Sequence, residues 1–440
     1  MGIAASTPDK PLWYKAGDVL QLRAQPRMCK RVANELGLGE LDRVCQPETA
    51  TLVVESFLGK GGLSEVYAVT VTEHKLPTKA AVWAAAAEDA QIDASLAATA
   101  SNSTAVTTAA AVDTAAAAAA AAAVEAFVPY KKSLVGKKMA LKVSKRWSAL
   151  SAGVQKLYGE ESVYFETVET SSISQHWIMS SPDLGAGEGI LQSFMAGTVI
   201  FEGGNSTEVR PCAVLMELAQ GGSLQGLVEQ MHWKIQKPKK RRTVAAQAEL
   251  VHHLLKKVLT SLDRLHTEGW AHLDLKLGNV VSREKQDITS LLQSDYDADK
   301  LQPLLIDFGS AVYLGRAKHK PGVRSIYTVS YASPELQHWQ LVSRKADVWS
   351  VGVLLLSLRT GSPPSMKHTK CPAPMHKADP DSLSCADTHA AVLRNLRKQA
   401  KFQEMSEREW DFVQQALTFD WHERPSAGEL LNSDYMVYGP

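Results

Sequence analysis

The stretch HLDLKLGN, His272–Asn279, decides how the rest of the sequence is interpreted. It places an aspartate, a lysine and an asparagine at fixed offsets, Asp274, Lys276 and Asn279. An acid that positions a hydroxyl and an amide that binds Mg²⁺ are two of the groups on which phosphoryl transfer depends. Three residues between and beside them look out of place: Leu273, Leu277 and Gly278. The question is therefore whether this is a functional phosphoryl-transfer loop or the remnant of one.

Length and composition set the limits of the interpretation. The 440 residues include 48 basic and 47 acidic side chains, and the net charge of +1 indicates no nucleic-acid partner. This length provides for one large domain or two lobes, each with its own core. The five cysteines form no CxxC pair, so a reducing compartment is predicted. Since no run of about 18 apolar residues and no secretory signal is found, we expect a soluble, intracellular protein.

Local patterns divide the chain into a strand-rich part and a helical part. Thr51–Val71 contains two β-rich runs around a glycine turn, which predicts a hairpin, and Gly136–Ser144 predicts another strand. The alanine-rich stretch Ala84–Ala126 has no stripe of large apolar side chains. We interpret it as part of a low-complexity, mostly disordered insertion at about residues 73–129, with a rigid helical spacer as the alternative. Ala248–Gly269 has apolar residues at helical spacing and predicts a long helix.

Three further motifs accompany the opening stretch. LGKGGLSEV, Leu58–Val66, is a glycine turn whose backbone N–H groups could approach phosphates, although a hairpin without a ligand is the default for such a turn alone. Lys142 lies in the predicted strand MALKV, where a solvent-facing lysine is common. IDFGS places Asp307 directly after an apolar strand, and YASPE follows it. Each motif is weak alone, but their combination in this order is specific.

In this order the motifs resemble those of eukaryotic-type protein kinases, over roughly residues 51–437. The resemblance implies an α+β, bilobal protein-kinase-like fold with a small strand-rich N-lobe and a larger helical C-lobe. The expected organisation is an N-terminal extension at 1–50, an N-lobe at 51–217 that carries the insertion, and a C-lobe at 218–440. The implied cofactors are ATP and Mg²⁺, and the implied partner is a protein substrate.

The resemblance assigns the nucleotide site to residues of the first half. Lys142 would hold the α- and β-phosphates of ATP and pair with a helix glutamate, Glu161, with Glu160 as the rival. The other residues expected to contact ATP lie in the glycine turn and at the gatekeeper and hinge: Leu58, Gly59, Lys60, Gly61, Gly62, Ser64, Val66, Met216, Glu217 and Leu218.

The resemblance assigns the chemistry to the second half. Asp274 would be the catalytic aspartate, Lys276 would contact the transferred phosphate, and Asn279 and Asp307 would bind Mg²⁺. Supporting roles are implied for Asp347, which would brace the loop, for Glu335, which would pair with Arg424, and for Thr328, which would face Asp274 and Lys276 as in the serine/threonine branch.

The departures from the family pattern concern control more than chemistry. Most members have an arginine, a proline and a glutamate where this chain has Leu273, Leu277 and Gly278. The family arginine pairs with a phosphate on the activation loop, and a leucine cannot do so. We therefore expect a serine/threonine protein kinase that needs no phosphorylation of Ser325, Thr328 or Ser330. The alternative is a pseudokinase scaffold that binds nucleotide or partners without phosphotransfer.

Other segments suggest where the protein acts. Gly2, with Ser6 behind it, matches an N-myristoylation pattern and predicts weak membrane association of a cytoplasmic protein. The basic run Lys237–Arg242 is a nuclear localisation signal, an acidic-partner patch or a solvated loop. A late stretch with Cys371, His376 and Cys385 has no common zinc spacing and is expected to be a surface loop.

Overall fold

The computed structural model describes residues 14–24, 48–76, 78, 133–181, 183–184, 186–203, 206–235, 241–285, 301–321, 327–364, 383–399 and 404–440. The chain forms two compact units. Unit 1 comprises Met1–His176 and Ser193–Leu218, and unit 2 comprises Trp177–Gln192 and Ala219–Pro440. The predictions about Gly2, the alanine-rich insertion, Ser325, the Cys371–His376 stretch and most of the basic run lie outside the described residues.

Unit 1 is built on a closed, antiparallel barrel. Its strands are β1 (Val19–Ala24), β2 (Thr49–Lys60), β3 (Ser64–Lys75), β4 (Lys138–Ser144), β5 (Ser193–Gly203) and β6 (Ser206–Glu217). Their order around the barrel is β1-β2-β3-β4-β6-β5, and β1 also pairs with β5. The β2–β3 pair is the predicted glycine hairpin, and β4 is the predicted strand that carries Lys142. Both predictions are confirmed.

The strand β1 belongs to the segment that the sequence assigned to an N-terminal extension. It alternates inward and outward side chains, and Leu20 and Leu22 are fully buried in the barrel core. Burial of these two leucines contributes at most about 3–6 kcal/mol. Gly197 of β5 lets β1 come close, since a Cβ there would lie 2.0 Å from the carbonyl oxygen of Arg23. The extension therefore supplies a structural strand that closes the barrel.

Two helices of the chain follow β4. Helix α1 (Ala152–Tyr158) begins with Ser151, whose side chain accepts a hydrogen bond from the backbone N–H of Val154, and it ends at Gly159. Helix α2 spans Glu161–Ser180. On α2, Tyr164 and Val168 pack with Leu150 and Cys212 in a small apolar cluster of unit 1.

Unit 2 is mostly helical. Its helices are α3 (Leu224–Ile235), α4 (Arg241–Thr267), α5 (Pro334–Trp339), α6 (Arg344–Thr360), α7 (Leu383–Lys398), α8 (Glu407–Ala416), α9 (Ala427–Leu431) and α10 (Asp434–Tyr438). Helix α4 confirms the long helix predicted from apolar spacing and begins several residues earlier. The central helix is α6, which is buried along nearly its whole length and packs against α4 and α8. None of the helices among the described residues is long and apolar enough to span a membrane.

Three short two-stranded sheets, here called ribbons, fix the positions of the loops of unit 2. They are β7 (Trp270–Ala271) with β10 (Val312–Tyr313), β8 (Val280–Ser282) with β9 (Pro303–Leu305), and β11 (His319–Pro321) with β12 (Leu341–Ser343). In the β8–β9 ribbon Val280 is opposite Leu305, and the N–H of Ile306 donates to the carbonyl of Asn279 at 3.0 Å. This pairing brings the residues before β8 next to those after β9.

Candidate active site

The loop between β7 and β8 gathers polar groups around the carboxylate of Asp274. Lys276 Nζ lies 2.6 Å from Asp274 Oδ2. The amide of Asn279 donates to the same oxygen at 3.0 Å and to the backbone carbonyl of Asp274 at 2.8 Å. A short 3₁₀ turn, Leu277–Asn279, brings the asparagine back towards the aspartate. The three residues singled out in the opening stretch therefore form one connected group.

Thr328 completes this group from a distant part of the chain. Its backbone N–H and its hydroxyl donate to Asp274 Oδ1 at 2.9 and 2.7 Å. Its hydroxyl also accepts a hydrogen bond from Lys276 Nζ at 2.8 Å. Both carboxylate oxygens of Asp274 are thus held, one by Thr328 and the other by Lys276 and Asn279. The side chain of Asp274 is 11% exposed, so it remains accessible at this position.

Asp347, at the start of α6, braces the loop from behind. Its fully buried carboxylate accepts hydrogen bonds from the backbone N–H of His272 at 2.8 Å and of Leu273 at 2.7 Å. The ring of His266 lies 2.9 Å from the same carboxylate. Leu273 has a φ of +65°, a strained conformation for a branched side chain. The two backbone hydrogen bonds to a buried charge stabilise that conformation and orient Asp274 one residue later.

Asp307 follows β9 and is attached to the same loop. Its backbone adopts the left-handed conformation, with φ +63° and ψ +62°. The ring of His272 packs on Phe308 with centroids 4.8 Å apart, and His272 Nε2 lies 3.1 Å from the carbonyl of Ile306. Residues on both sides of Asp307 on the chain are therefore fixed to the loop that carries Asp274 and Asn279.

The side chains present would suit a Mg²⁺ ion that is only partly coordinated by protein. Among the described residues no group of three or more His, Cys, Asp or Glu side chains gathers as a metal site. Asn279 and Asp307 offer oxygen ligands, which Mg²⁺ prefers, and this metal usually takes its remaining ligands from phosphate and water.

An apolar cluster surrounds Leu273, the residue that replaces the family arginine. Leu273 is 3% exposed. It belongs to a buried cluster made of Ala271, Leu273, Leu314, Ala332, Leu336, Val342 and Ala346. Tyr327, beside Thr328, packs against the same cluster. Leucine in place of the family arginine at this position is therefore accommodated by the apolar residues packed around it.

A buried ion pair anchors the segment after Thr328. Arg424 donates to both carboxylate oxygens of Glu335, at 2.7 and 3.0 Å, and both side chains are fully buried. The guanidinium also donates to the carbonyls of Lys345 and Thr418. These further bonds satisfy a charge that would be costly to bury alone. The pairing of Glu335 with Arg424 expected from the sequence is present.

In unit 1, Lys142 does not contact the predicted glutamate. Its Nζ donates to Oε1 of Gln175 at 2.9 Å, and Gln175 is 2% exposed. Glu161 is the first residue of α2, fourteen positions before Gln175, which corresponds to about 21 Å along a helix. Glu161 and its rival Glu160 are both exposed. The structure therefore places Gln175, and not Glu161, against the Lys142 ammonium, because the second half of α2 and not its start lies beside this lysine.

The glycine turn has room for a close ligand. A Cβ at Gly59 or Gly62 would meet no atom within 4 Å, and one at Gly61 would meet only Ser64 at ordinary contact distance. None of these three glycines has the positive φ that would require glycine. Neither packing nor backbone conformation explains them, which suits a turn that a phosphate approaches closely. Around them Leu58 and Lys60 are exposed, and Ser64 and Val66 are half-buried.

The predicted gatekeeper and hinge lie at the end of β6. Met216 is 6% exposed and pairs with Ala140 of β4, while Glu217 is opposite Met139 and ends the strand. Leu218, the last residue of unit 1, is half-buried. Since β4 lies beside β6, Lys142 and Met216 are on neighbouring strands of one sheet.

Sequence reasoning missed two residues that the structure brings to these sites. Gln175 was missed because the family pattern has a glutamate at this position, and Glu161 is the glutamate that the pattern indicates. His266 was missed because its partner Asp347 is 81 residues away in the chain. The role of Gln175 becomes visible only when its burial and the length of its helix are known.

Comparison with known proteins identifies the family. The protein kinase domain family matches residues 194–436, more than half of the chain. This match begins after the glycine turn and Lys142, so the assignments there depend on their own motifs and on the geometry of unit 1.

Individual relatives are more distant. A Dictyostelium discoideum serine/threonine-protein kinase, pakB, is 28% identical over 51% of this chain and 22% of its own length. The human mitogen-activated protein kinase kinase kinase 19 is 25% identical over 53% of this chain and 15% of its own. The Arabidopsis thaliana mitogen-activated protein kinase kinase kinase 17 is 25% identical over 42% of this chain and 41% of its own length. The chain thus spans less than half the length of each of these relatives. The family match agrees with the arrangement of residues around Asp274. This chain therefore belongs to the protein kinase family, and its relatives are of the serine/threonine branch.

Proposed function

We propose that this protein is an ATP- and Mg²⁺-dependent protein kinase that transfers the γ-phosphate of ATP to serine or threonine hydroxyls of protein substrates. The observation that carries the proposal is the group around Asp274. Lys276, Asn279 and Thr328 hold both oxygens of its carboxylate. In a loop that had lost its function we would not expect four polar residues to stay in mutual contact, all the more because Asp274 and Thr328 are 54 positions apart in the sequence.

Asp274 acts as the group that orients the substrate hydroxyl and accepts its proton. Lys276, 2.6 Å from Asp274, contributes a positive charge where the transferred phosphate would carry negative charge. Thr328 holds the aspartate oxygen that Lys276 does not contact. Because transfer depends on position and charge compensation, a loop already held in this way supports catalysis without a large rearrangement.

Each unit contains residues with a role in the proposed phosphotransfer. Unit 1 supplies the glycine turn and Lys142, whose ammonium would contact the phosphates, with Gln175 orienting it at 2.9 Å. Unit 2 supplies Asn279 and Asp307, which would hold Mg²⁺. Bound Mg²⁺ offsets phosphate charge. We propose that the two units are the N-lobe and C-lobe of a bilobal kinase fold.

The proposed kinase does not need phosphorylation of its activation loop. In the family an arginine next to the catalytic aspartate pairs with that phosphate. Leu273 occupies its position and is buried among apolar residues that include Leu314 and Ala332. Apolar packing thus takes over the stabilisation that a phosphate–arginine pair would give.

A pseudokinase remains the second candidate, and one observation favours it. One side chain that contacts Lys142, at 2.9 Å, is the neutral amide of Gln175, and the family pairs this lysine with a glutamate. A scaffold that binds nucleotide could tolerate this change. Intact Asp274, Asn279 and Asp307 favour the active enzyme. Weak membrane association through a myristoylated Gly2, and nuclear entry through Lys237–Arg242, are further proposals that an intact-mass measurement and imaging would test.

The deciding experiment compares phosphotransfer to a generic basic protein by the wild type, Asp274→Asn and a matched control. Asp411→Asn is that control, because Asp411 is exposed on α8 and the change is chemically identical. We expect Asp274→Asn to lower kcat by orders of magnitude and Asp411→Asn to leave it unchanged. Equal activity of all three proteins would refute the proposed role of Asp274, and no activity in the wild type would favour the pseudokinase.

A further inference from the structure

The tip of the glycine turn, Gly61–Ser64, is fastened to the rest of unit 1 by Lys145. The backbone N–H of Lys145 donates to the carbonyl of Leu63 at 2.8 Å. Its ammonium donates to the carbonyl of Gly61 at 2.5 Å and lies 3.4 Å from that of Gly62. Inside the turn, the N–H of Gly61 donates to the carbonyl of Ser64 at 2.8 Å. Three consecutive carbonyls of the turn therefore face one residue at the end of β4.

Tyr164 of helix α2 fastens the same place from the other side. Its hydroxyl donates to the carbonyl of Lys145 at 2.8 Å and lies 3.4 Å from that of Leu63. The ring is fully buried and packs against Trp147, Tyr158 and Phe165. Burial raises the pKa of Tyr164 above its ordinary value, so the hydroxyl keeps the proton that it donates.

The surroundings of both groups show that this contact belongs to a packed core. Leu63 packs against the apolar cluster that contains Tyr164 and Val168. Burial lowers the pKa of Lys145, while the nearby carboxylate of Glu65 raises it and the charge of Lys60 lowers it further. An ammonium in such a position is best satisfied by oxygen atoms, and the carbonyls of the turn provide them.

We propose that Tyr164 and Lys145 are positioning residues that hold the glycine turn against helix α2. The same helix carries Gln175, the partner of Lys142, eleven residues further on, or about 16 Å along its axis. Helix α2 thereby sets the position of both nucleotide-binding elements of unit 1 together. This inference rests on the proposed function only in naming the nucleotide as the ligand; the fastening of the turn is a property of the protein alone.

A turn that is already ordered binds its ligand with less loss of conformational freedom. Removing the Tyr164 hydroxyl deletes one hydrogen bond to a neutral carbonyl and leaves the ring in place. A bond of this kind corresponds to a change of about 2- to 10-fold in an equilibrium constant. The dissociation constant for nucleotide is therefore expected to rise by that factor, while kcat changes less, because the chemistry lies in unit 2.

The test uses the full chain with Tyr164→Phe and, as a matched control, Tyr158→Phe, whose ring also packs on Tyr164. Hydrogen exchange of peptides covering residues 59–66, without nucleotide, measures the fastening of the turn. Calorimetric titration with Mg²⁺-ADP measures its consequence. We expect faster exchange and a 2- to 10-fold weaker affinity for Tyr164→Phe, and no change in either for Tyr158→Phe.

Lys145→Met gives a second, independent variant, because it removes the ammonium and keeps the backbone hydrogen bond to Leu63. Lys145→Arg keeps a positive charge and should restore part of the protection of the turn from exchange. Unchanged exchange in both Tyr164→Phe and Lys145→Met would overturn the inference. If the wild type shows no phosphotransfer but these variants still loosen the turn, the proposed function fails and the inference stands. If phosphotransfer is robust and the exchange rates do not move, the inference alone fails.

Discussion

Gln175→Leu is the substitution that best tests how Lys142 is positioned. The side chain of Gln175 is 2% exposed, and its Oε1 accepts a hydrogen bond from Lys142 Nζ at 2.9 Å. A hydrogen bond to a charged group contributes about 1.5–3 kcal/mol. Leucine has a similar volume and cannot accept this bond. If the full bond energy serves to orient Lys142, kcat/KM for ATP falls by about 10- to 150-fold.

The assay is steady-state phosphotransfer at varied ATP, with thermal unfolding of each variant measured in parallel. Gln155→Leu is the control, since Gln155 is a half-buried glutamine of unit 1 whose amide donates to the carbonyl of Trp147 at 2.8 Å and is not placed at the nucleotide site. The unfolding curves show any change in stability of each variant, and only Gln175→Leu should lose kcat/KM. Gln175→Glu should keep at least half of the wild-type value, because a carboxylate can accept the same bond. A Gln175→Leu enzyme within twofold of the wild type would refute the reasoning.

Four further outcomes are expected. Asp307→Asn should lower kcat by orders of magnitude in a Mg²⁺-dependent assay, because it weakens a ligand of the metal; full activity would contradict the metal role. Phosphatase treatment should leave activity intact, since Leu273 is buried in an apolar cluster and cannot pair with a phosphate; its loss would contradict phosphorylation-independent activity. Deleting residues 84–126 should shift the melting temperature by only a few degrees, because loop-closure entropy changes slowly with length; a drop of about ten degrees would show that the stretch packs on the unit. Burial lowers the pKa of His252, so the unfolded chain binds this proton more readily and the free energy of unfolding falls as the pH drops below about 6.5; His252→Gln should flatten that dependence in urea unfolding curves.

Some features were predictable because they depend on residues close together in the sequence. The hairpin around the glycine turn and the strand of Lys142 follow from β-rich runs and their boundaries, and α4 follows from apolar spacing. The contacts among Asp274, Lys276 and Asn279 span only five residues, so the short turn that brings them together is a local property.

Other features could not be read from local patterns. The strand β1 closes the barrel by pairing with β5, which lies about 170 residues later, and nothing in VLQLRA itself indicates that partner. The sequence does not indicate that Gln175 lies beside Lys142, because polar residues are scattered along α2 and the apolar spacing that marks α4 is weak there.

The sequence by itself determined that this chain belongs to the protein kinase family, because the order and spacing of a few chemically required residues carry that information without coordinates. Tertiary structure alone decided which residue contacts Lys142, which groups fasten the glycine turn, and what surrounds Leu273. The physical reason is that these contacts join segments far apart in the chain. Which residues come into contact depends on how helices and strands of definite length pack, and the spacing of residues along the sequence does not contain that information.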